Sequence, residues 1–162
     1  MVNYQTLILS VLVGITGCQA ETSPAAAYSQ TFALIQLNLG SQQIAVQLAD
    51  TEARRAQGLM GQQPLKHGML LLNPQARAMT LWMKNTPSAL DVAFIDQQWR
   101  IISIAQMQPF SEQLHDSPKP ALAALEMPLG WFAKQNIRPG QQLVYCPDQP
   151  KQCLNSPTTQ LE

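Results

Sequence analysis

Residues 90–95 read LDVAFI. In an extended chain successive side chains point to opposite faces. Leu90, Val92 and Phe94 therefore share one face, and Asp91, Ala93 and Ile95 share the other. Both faces are apolar except for one carboxylate. A strand of this kind has no wet side and needs cover above and below. The chain is thereby directed to a sandwich or a barrel rather than a single open sheet. The carboxylate sharpens the demand, because an ionised Asp is costly to bury unless it is paired or hydrogen-bonded.

The same period of two recurs elsewhere. Ile35, Leu37 and Leu39 alternate with Gln36 and Asn38, and Ile44, Val46 and Leu48 alternate with Ala45 and Gln47. Gly40-Ser41 between them is a turn signal, so the pair predicts a hairpin. Asp50 or Thr51 is placed to cap a helix of about two turns that carries Arg54 and Arg55 and ends at Gly58. Met79, Leu81 and Met83 predict another strand face, broken by Asn85-Thr86-Pro87. Trp99 to Ala105 predicts a strand, and 106–121, with Pro109, Pro118 and Pro120, a long surface loop. Leu122 to Met127 predicts a short strand holding Glu126, and 128–136 a short helix. Met60, Met69 and Met79 read as fillers of core gaps, and His67 as a turn residue. Short strands, frequent turns and one or two short helices give a mainly β fold, a compact sandwich or barrel.

The N-terminus supplies an address. Thr6 to Gly17 is an uncharged apolar run of about a dozen residues, short of the roughly 20 that span a membrane. It has the length of a signal-peptide core. It stops at Ile15-Thr16-Gly17-Cys18, which resembles a bacterial lipobox, although the preceding MVNYQ has no Lys or Arg. The plain alternative is a buried strand followed by a cysteine. The expectation taken is a signal peptide over 1–17, lipidation of Cys18, a polar tether over 18–30, a single β-rich domain over 31–146 and a tail over 147–162. Gln19, not Asp, follows the cysteine, which points to the periplasmic side of the outer membrane. In that compartment Cys146 and Cys153 form a candidate disulfide, worth about 2.5 kcal/mol in the chain-entropy model. A zinc site would need His67 and His115 as well, and their spacing matches no ligand pattern. No metal and no cofactor are expected.

Composition removes one class of partner. Charged residues are only 12% of the chain, and ten basic residues balance ten acidic ones with no basic run. Nucleic-acid binding draws on clustered positive charge, so it is set aside. The membrane, through the lipid anchor, and a small polar ligand remain.

A set of residues in fixed order carries a resemblance: Leu48-Ala49-Asp50-Thr51, Arg54, Gly58-Leu59-Met60, Gly68-Met69-Leu70, Trp82-Met83-Lys84-Asn85-Thr86, Leu90-Asp91, Phe94-Ile95, Leu125-Glu126, Gly130 and Pro139-Gly140. It resembles the bacterial and archaeal family called domain of unknown function 192, from about Ile35 to Val144. The W-M-K-N-T motif followed by L-D is the specific part. Leu81 stands where the family usually has Phe, and Gln98 where a turn Gly is common. The resemblance implies a compact mainly β domain and brings no established activity.

The chemistry centres on Asp91. If the strands around Leu81 and Val92 are neighbours, the loop between them folds back over the carboxylate. Asp91 then accepts hydrogen bonds from Thr86, loop N–H groups or Lys84 and ties down its own loop. The functional reading makes that loop one wall of a pocket. Trp82 offers a stacking face, Lys84 a charge, Asn85 and Thr86 hydrogen bonds, and Arg54 or Glu126 the opposite wall. Such a site suits a small polar ligand, and the reading taken is non-catalytic. A hydrolase is the alternative, with Asp91 and Glu126 as acid and base at the separations glycosidases use. A scaffold for a partner protein is a third class and predicts an exposed apolar patch.

Overall fold

The computed structural model describes residues 28–145. The expected signal peptide over 1–17, lipidation of Cys18, most of the expected tether, the expected Cys146–Cys153 pairing and the 147–162 tail lie outside the described residues. Among the described residues, nine strands and two short helices follow in order: β1 (Ala33–Leu39), β2 (Gln42–Ala49), α1 (Glu52–Gln57), β3 (Gly68–Arg77), β4 (Thr80–Leu81), β5 (Leu90–Ile95), β6 (Ile101–Met107), β7 (His115–Asp116), β8 (Ala121–Pro128), α2 (Trp131–Lys134) and β9 (Leu143–Tyr145). Seven strands form one curled half-barrel sheet in the order β6-β5-β8-β3-β2-β1-β9, and β4 pairs with β7 apart from it. The two edges of the curled sheet meet over a short stretch. Leu143 N–H donates to Trp99 O at 2.8 Å and Ile101 N–H to Gln141 O at 2.9 Å.

Local signals explain most boundaries. β1 and β2 pair from Ala33↔Leu48 to Leu39↔Gln42 around Gly40, whose φ of +59° is a left-handed turn conformation. Thr51 caps α1 by accepting from Arg54 N–H at 3.3 Å, and Gly58 ends it with φ +52°. Gly68 opens β3 where β8 passes very close. A Cβ there would collide with the Glu126 carbonyl and the Met127 sulfur.

The period of two sorts the core into two layers. Leu37, Leu39, Val46, Leu48, Leu70, Ala93, Ile95, Ile101, Ala123, Leu125, Met127 and Leu143 come from all seven strands and fill the inside of the curl, with Phe132 and Ile137 joining from the α2 segment. Met69, Leu71, Leu90, Val92, Phe94 and Ala124 face outward and are covered by Leu59, Met79 and Met83. The sandwiching demanded by LDVAFI is met in this way, and every residue of β5 is buried. Met69 and Met79 are core residues as expected, whereas Met60 is only half-buried.

Three expectations change. The strand over 79–84 shortens to Thr80–Leu81 and does not lie beside β5. It pairs with β7, a two-residue strand inside the segment expected to be loop. The 128–136 helix shortens to the four residues of α2. In each case a few residues are organised by contacts distant in sequence, which local periodicity does not carry.

Candidate functional site

Register decides how the two buried carboxylates relate. β5 and β8 are antiparallel neighbours in which Val92 opposes Glu126 and Asp91 opposes Met127. Directly opposed residues share a face. Glu126 therefore points outward with Val92, and Asp91 points into the curl with Met127. The sheet itself separates the two groups, so the acid/base pair of the alternative hydrolase reading is not built.

Asp91 is 3% exposed. Its Oδ2 accepts the Gly130 N–H at 2.8 Å, while its Oδ1 is buried without a hydrogen-bond partner, on a face with no exposed tryptophan beside it. The N–H groups of Trp131 and Phe132 also lower its pKa, but burial is the larger effect and the net shift is upward. Gly130 sits at the start of α2, with φ +80° and no side chain of its own to cap the helix. Asp91 supplies that cap from a strand 39 residues earlier. Its partners are thus α2 and not the Lys84-Asn85-Thr86 loop. The reason is the face: the Met83 corner covers the outer side of β5 with Leu90 and Val92, whereas Asp91 points to the inner side with Ala93 and Met127.

The loop makes its own contacts. Met83 O accepts the Thr86 N–H at 3.0 Å, closing a turn in which Asn85 takes φ +57°. Asn is among the few residues that tolerate this conformation. The Asn85 carbonyl accepts the Gly61 N–H at 2.9 Å and the Thr86 carbonyl the Phe110 N–H at 3.1 Å. Thr86 Oγ1 donates weakly to Lys84 O at 3.4 Å. Lys84 Nζ lies 5.1 Å from the Trp82 ring centre and 3.7 Å from a Glu112 oxygen. The first is a cation–π distance. The motif thus builds a rigid corner with Trp82 at its edge.

That corner overhangs Glu126. A cavity of about 170 Å³ is lined by Glu126, Thr86, Trp82, Leu81, Arg55 and Met60, among others. Glu126 is 6% exposed, and its Oε2 is buried without a hydrogen-bond partner. Trp82 stands 42% exposed at the rim. A second cavity of about 230 Å³ shares Arg55, Ala56, Leu71, Thr80 and Leu81 with the first and adds Asn73 and Arg77. Through these shared residues the two cavities adjoin, over β3 and Glu126 of β8 and between α1 and β4, and together they are called the groove.

Sequence reasoning thus brought together Trp82, Thr86 and Glu126. Lys84 approaches through the Trp82 ring, while Asn85 serves by its backbone and Asp91 lies on the other face. Arg54 points away and pairs with Asp50 at 2.8 Å on the surface. Its neighbour Arg55 takes the groove wall, with one Nη donating to Leu72 O at 2.8 Å and to Asp50 O at 2.7 Å. Helical period alone could not choose between adjacent arginines on a two-turn helix. Asn73 was missed as well. Its only signal is a lone amide on the same strand face as Met69 and Leu71. Among the described residues no group of three or more His, Cys, Asp or Glu is placed to hold a metal.

The family model for DUF192, "Uncharacterized ACR", matches residues 35–145. The chain belongs to this family. Two solved structures are similar to this DUF192 domain. One is a Sinorhizobium meliloti 1021 protein presented as a candidate transcription regulator, with 31% identity and TM-score 0.68 over 72% of this chain and 96% of that one. The other is a protein of unknown function from Novosphingobium aromaticivorans DSM 12444, with 29% identity and TM-score 0.63 over 74% and 96%. No curated protein matches the chain.

Electrostatics distinguish Glu126 within this DUF192 domain. Burial among apolar neighbours pushes its carboxyl up from 4.5 to about 7. The folded pKa exceeds the unfolded one, so between these values the native state holds a proton that the unfolded chain has released. Stability from this group is complete below the unfolded pKa and is lost as pH rises to about 7. The loss is on the order of 3 kcal/mol. Asp91 has the same sign, so the Glu126 share is isolated by comparison with Glu126→Gln. Urea unfolding at pH 5 and pH 8 is expected to show the variant gaining on wild type by roughly that amount. Parallel pH dependence of the two proteins would contradict the assignment.

Proposed function

We propose that this domain binds a small polar ligand in the Glu126 groove, without transforming it, from a lipid anchor on the periplasmic face of the outer membrane. One observation carries the binding reading: a buried carboxyl oxygen without a protein donor, lining a cavity whose rim is an exposed tryptophan. Buried acceptors are ordinarily satisfied. A ligand donor, either an ammonium or a hydroxyl, would satisfy this one. Trp82 would cover the ligand, as aromatic rings do at sugar and amine sites, with Lys84 held against the ring. Binding rather than catalysis is favoured by the separation of the two buried carboxylates across the sheet. General acid/base hydrolysis uses two carboxyl groups that open onto one cleft and flank the scissile bond. The anchor rests on the apolar run ending at Cys18.

Thermal-shift screening against amines, sugars and other envelope metabolites tests the site. At ligand concentrations near 100 times Kd, wild type is expected to gain about 2.7 kcal/mol. Glu126→Gln and Trp82→Ala are expected to lose most of that gain. Identical responses in all three proteins would refute the site. The anchor has a separate check: Cys18→Ser is expected to move the protein from the membrane fraction to the soluble periplasm. An unchanged distribution would refute lipidation.

A further inference from the structure

The groove has a second built end. Asn73 is 2% exposed and lines the 230 Å³ cavity, yet neither its amide nitrogen nor its oxygen has a hydrogen-bond partner. A side-chain amide offers donors and an acceptor in one plane. The group that satisfies both at once is another amide. Arg55 contributes a further donor between the two ends, because its Nε is also unpartnered while an Nη is held on Leu72 O. Asn73 sits where the β3–β8 register shifts, between Leu72 and Arg77. Bulges of this sort re-aim side chains and end regular pairing.

Spacing sets the length of what fits. Glu126 opposes Met69 on β3, and Asn73 lies four residues farther along that strand on the same face. At roughly 3.3 Å per residue the two ends are about 13 Å apart. An extended chain of about four residues covers that distance. The wall formed by β4 is suited to such a chain. Met79 exchanges hydrogen bonds with Ser117 on the β7 side, donating to Ser117 Oγ at 3.0 Å and accepting from Ser117 N–H at 2.8 Å. Backbone direction alternates along a strand. By that alternation the N–H and C=O groups of Thr80 point to the edge of β4 away from β7, and Thr80 and Trp82 both line the groove.

We propose that the ligand is the N-terminal end of a short extended peptide. Its ammonium meets the Glu126 carboxylate under Trp82, its backbone runs past Arg55, and a peptide group farther along pairs with the Asn73 amide. Addition of an extended segment to a free strand edge is a known mode of peptide capture. Glu52, Arg55 and Arg77 line the Asn73 end and give it one net positive charge, placed toward the carbonyl groups of the bound chain. This inference rests on the binding reading above and specifies its ligand class.

Calorimetric titration of the purified full-length chain separates the two. The probes are tetra-alanine, N-acetyl-tetra-alanine, n-butylamine and glucose. Tetra-alanine is expected to bind, and acetylation of its amine to weaken binding at least tenfold. Asn73→Leu is expected to weaken tetra-alanine at least tenfold, with a melting temperature equal to or above wild type, since a buried unpartnered amide is removed. The acetylation comparison uses wild type alone, so it stands even if that variant fails to fold. Equal binding of the acetylated peptide, or an Asn73→Leu variant that folds and binds normally, overturns the proposal. Glu126-dependent binding of butylamine or glucose without tetra-alanine would overturn the peptide class and leave the binding site standing. Absence of binding by all four probes would count against both.

Discussion

The central constraint is a carboxyl group held in an apolar layer with no protein donor for one of its oxygens. Glu126 lies on β8, between β5 and β3, beneath Leu59 and Met83. An unsatisfied buried acceptor opposes folding. The domain tolerates it because, Asp91 and Asn73 aside, the buried side chains on both faces of the middle strands are apolar. The raised pKa follows from the same placement, as does the groove above, because the helix and the Trp82 corner cover the sheet without contributing a partner.

Period two gives the two acidic residues different fates. Asp91 faces inward, where the first N–H groups of α2 need an acceptor, and its Oδ2 caps a helix whose own N-cap glycine has no side chain. Glu126 faces outward, where the covering elements present apolar side chains and a cavity. A one-residue change of register on either strand would have placed both on one face. The fold thereby uses one carboxylate as a helix cap and leaves the other beside the cavity without a protein donor on one oxygen.

Much of this was legible in the residues and some was not. The hairpin, α1, β5 and β8 follow from local alternation, capping and turn chemistry, and each appears close to where the pattern puts it. The burial of Asp91 was equally legible, since its neighbours on both faces are apolar. Its partner was not, because Gly130 is brought to it only by the β5–β8 pairing. The same limit applies to β4, whose two residues are fixed by His115 and Asp116. It applies also to Arg55, selected over Arg54 by the side of α1 that rests on the sheet. Trp82 and Thr86 were found because a turn motif keeps them adjacent, while Asn73 carries no motif and is picked out only by its lack of partners.

The most direct measurement is a carbon-13 NMR titration of the Glu126 side-chain carboxyl, assigned by its disappearance in the glutamine variant. A midpoint near 7 is the predicted result. A midpoint near the ordinary 4.5 would place that carboxyl in contact with water or a donor, and would contradict the site built around it.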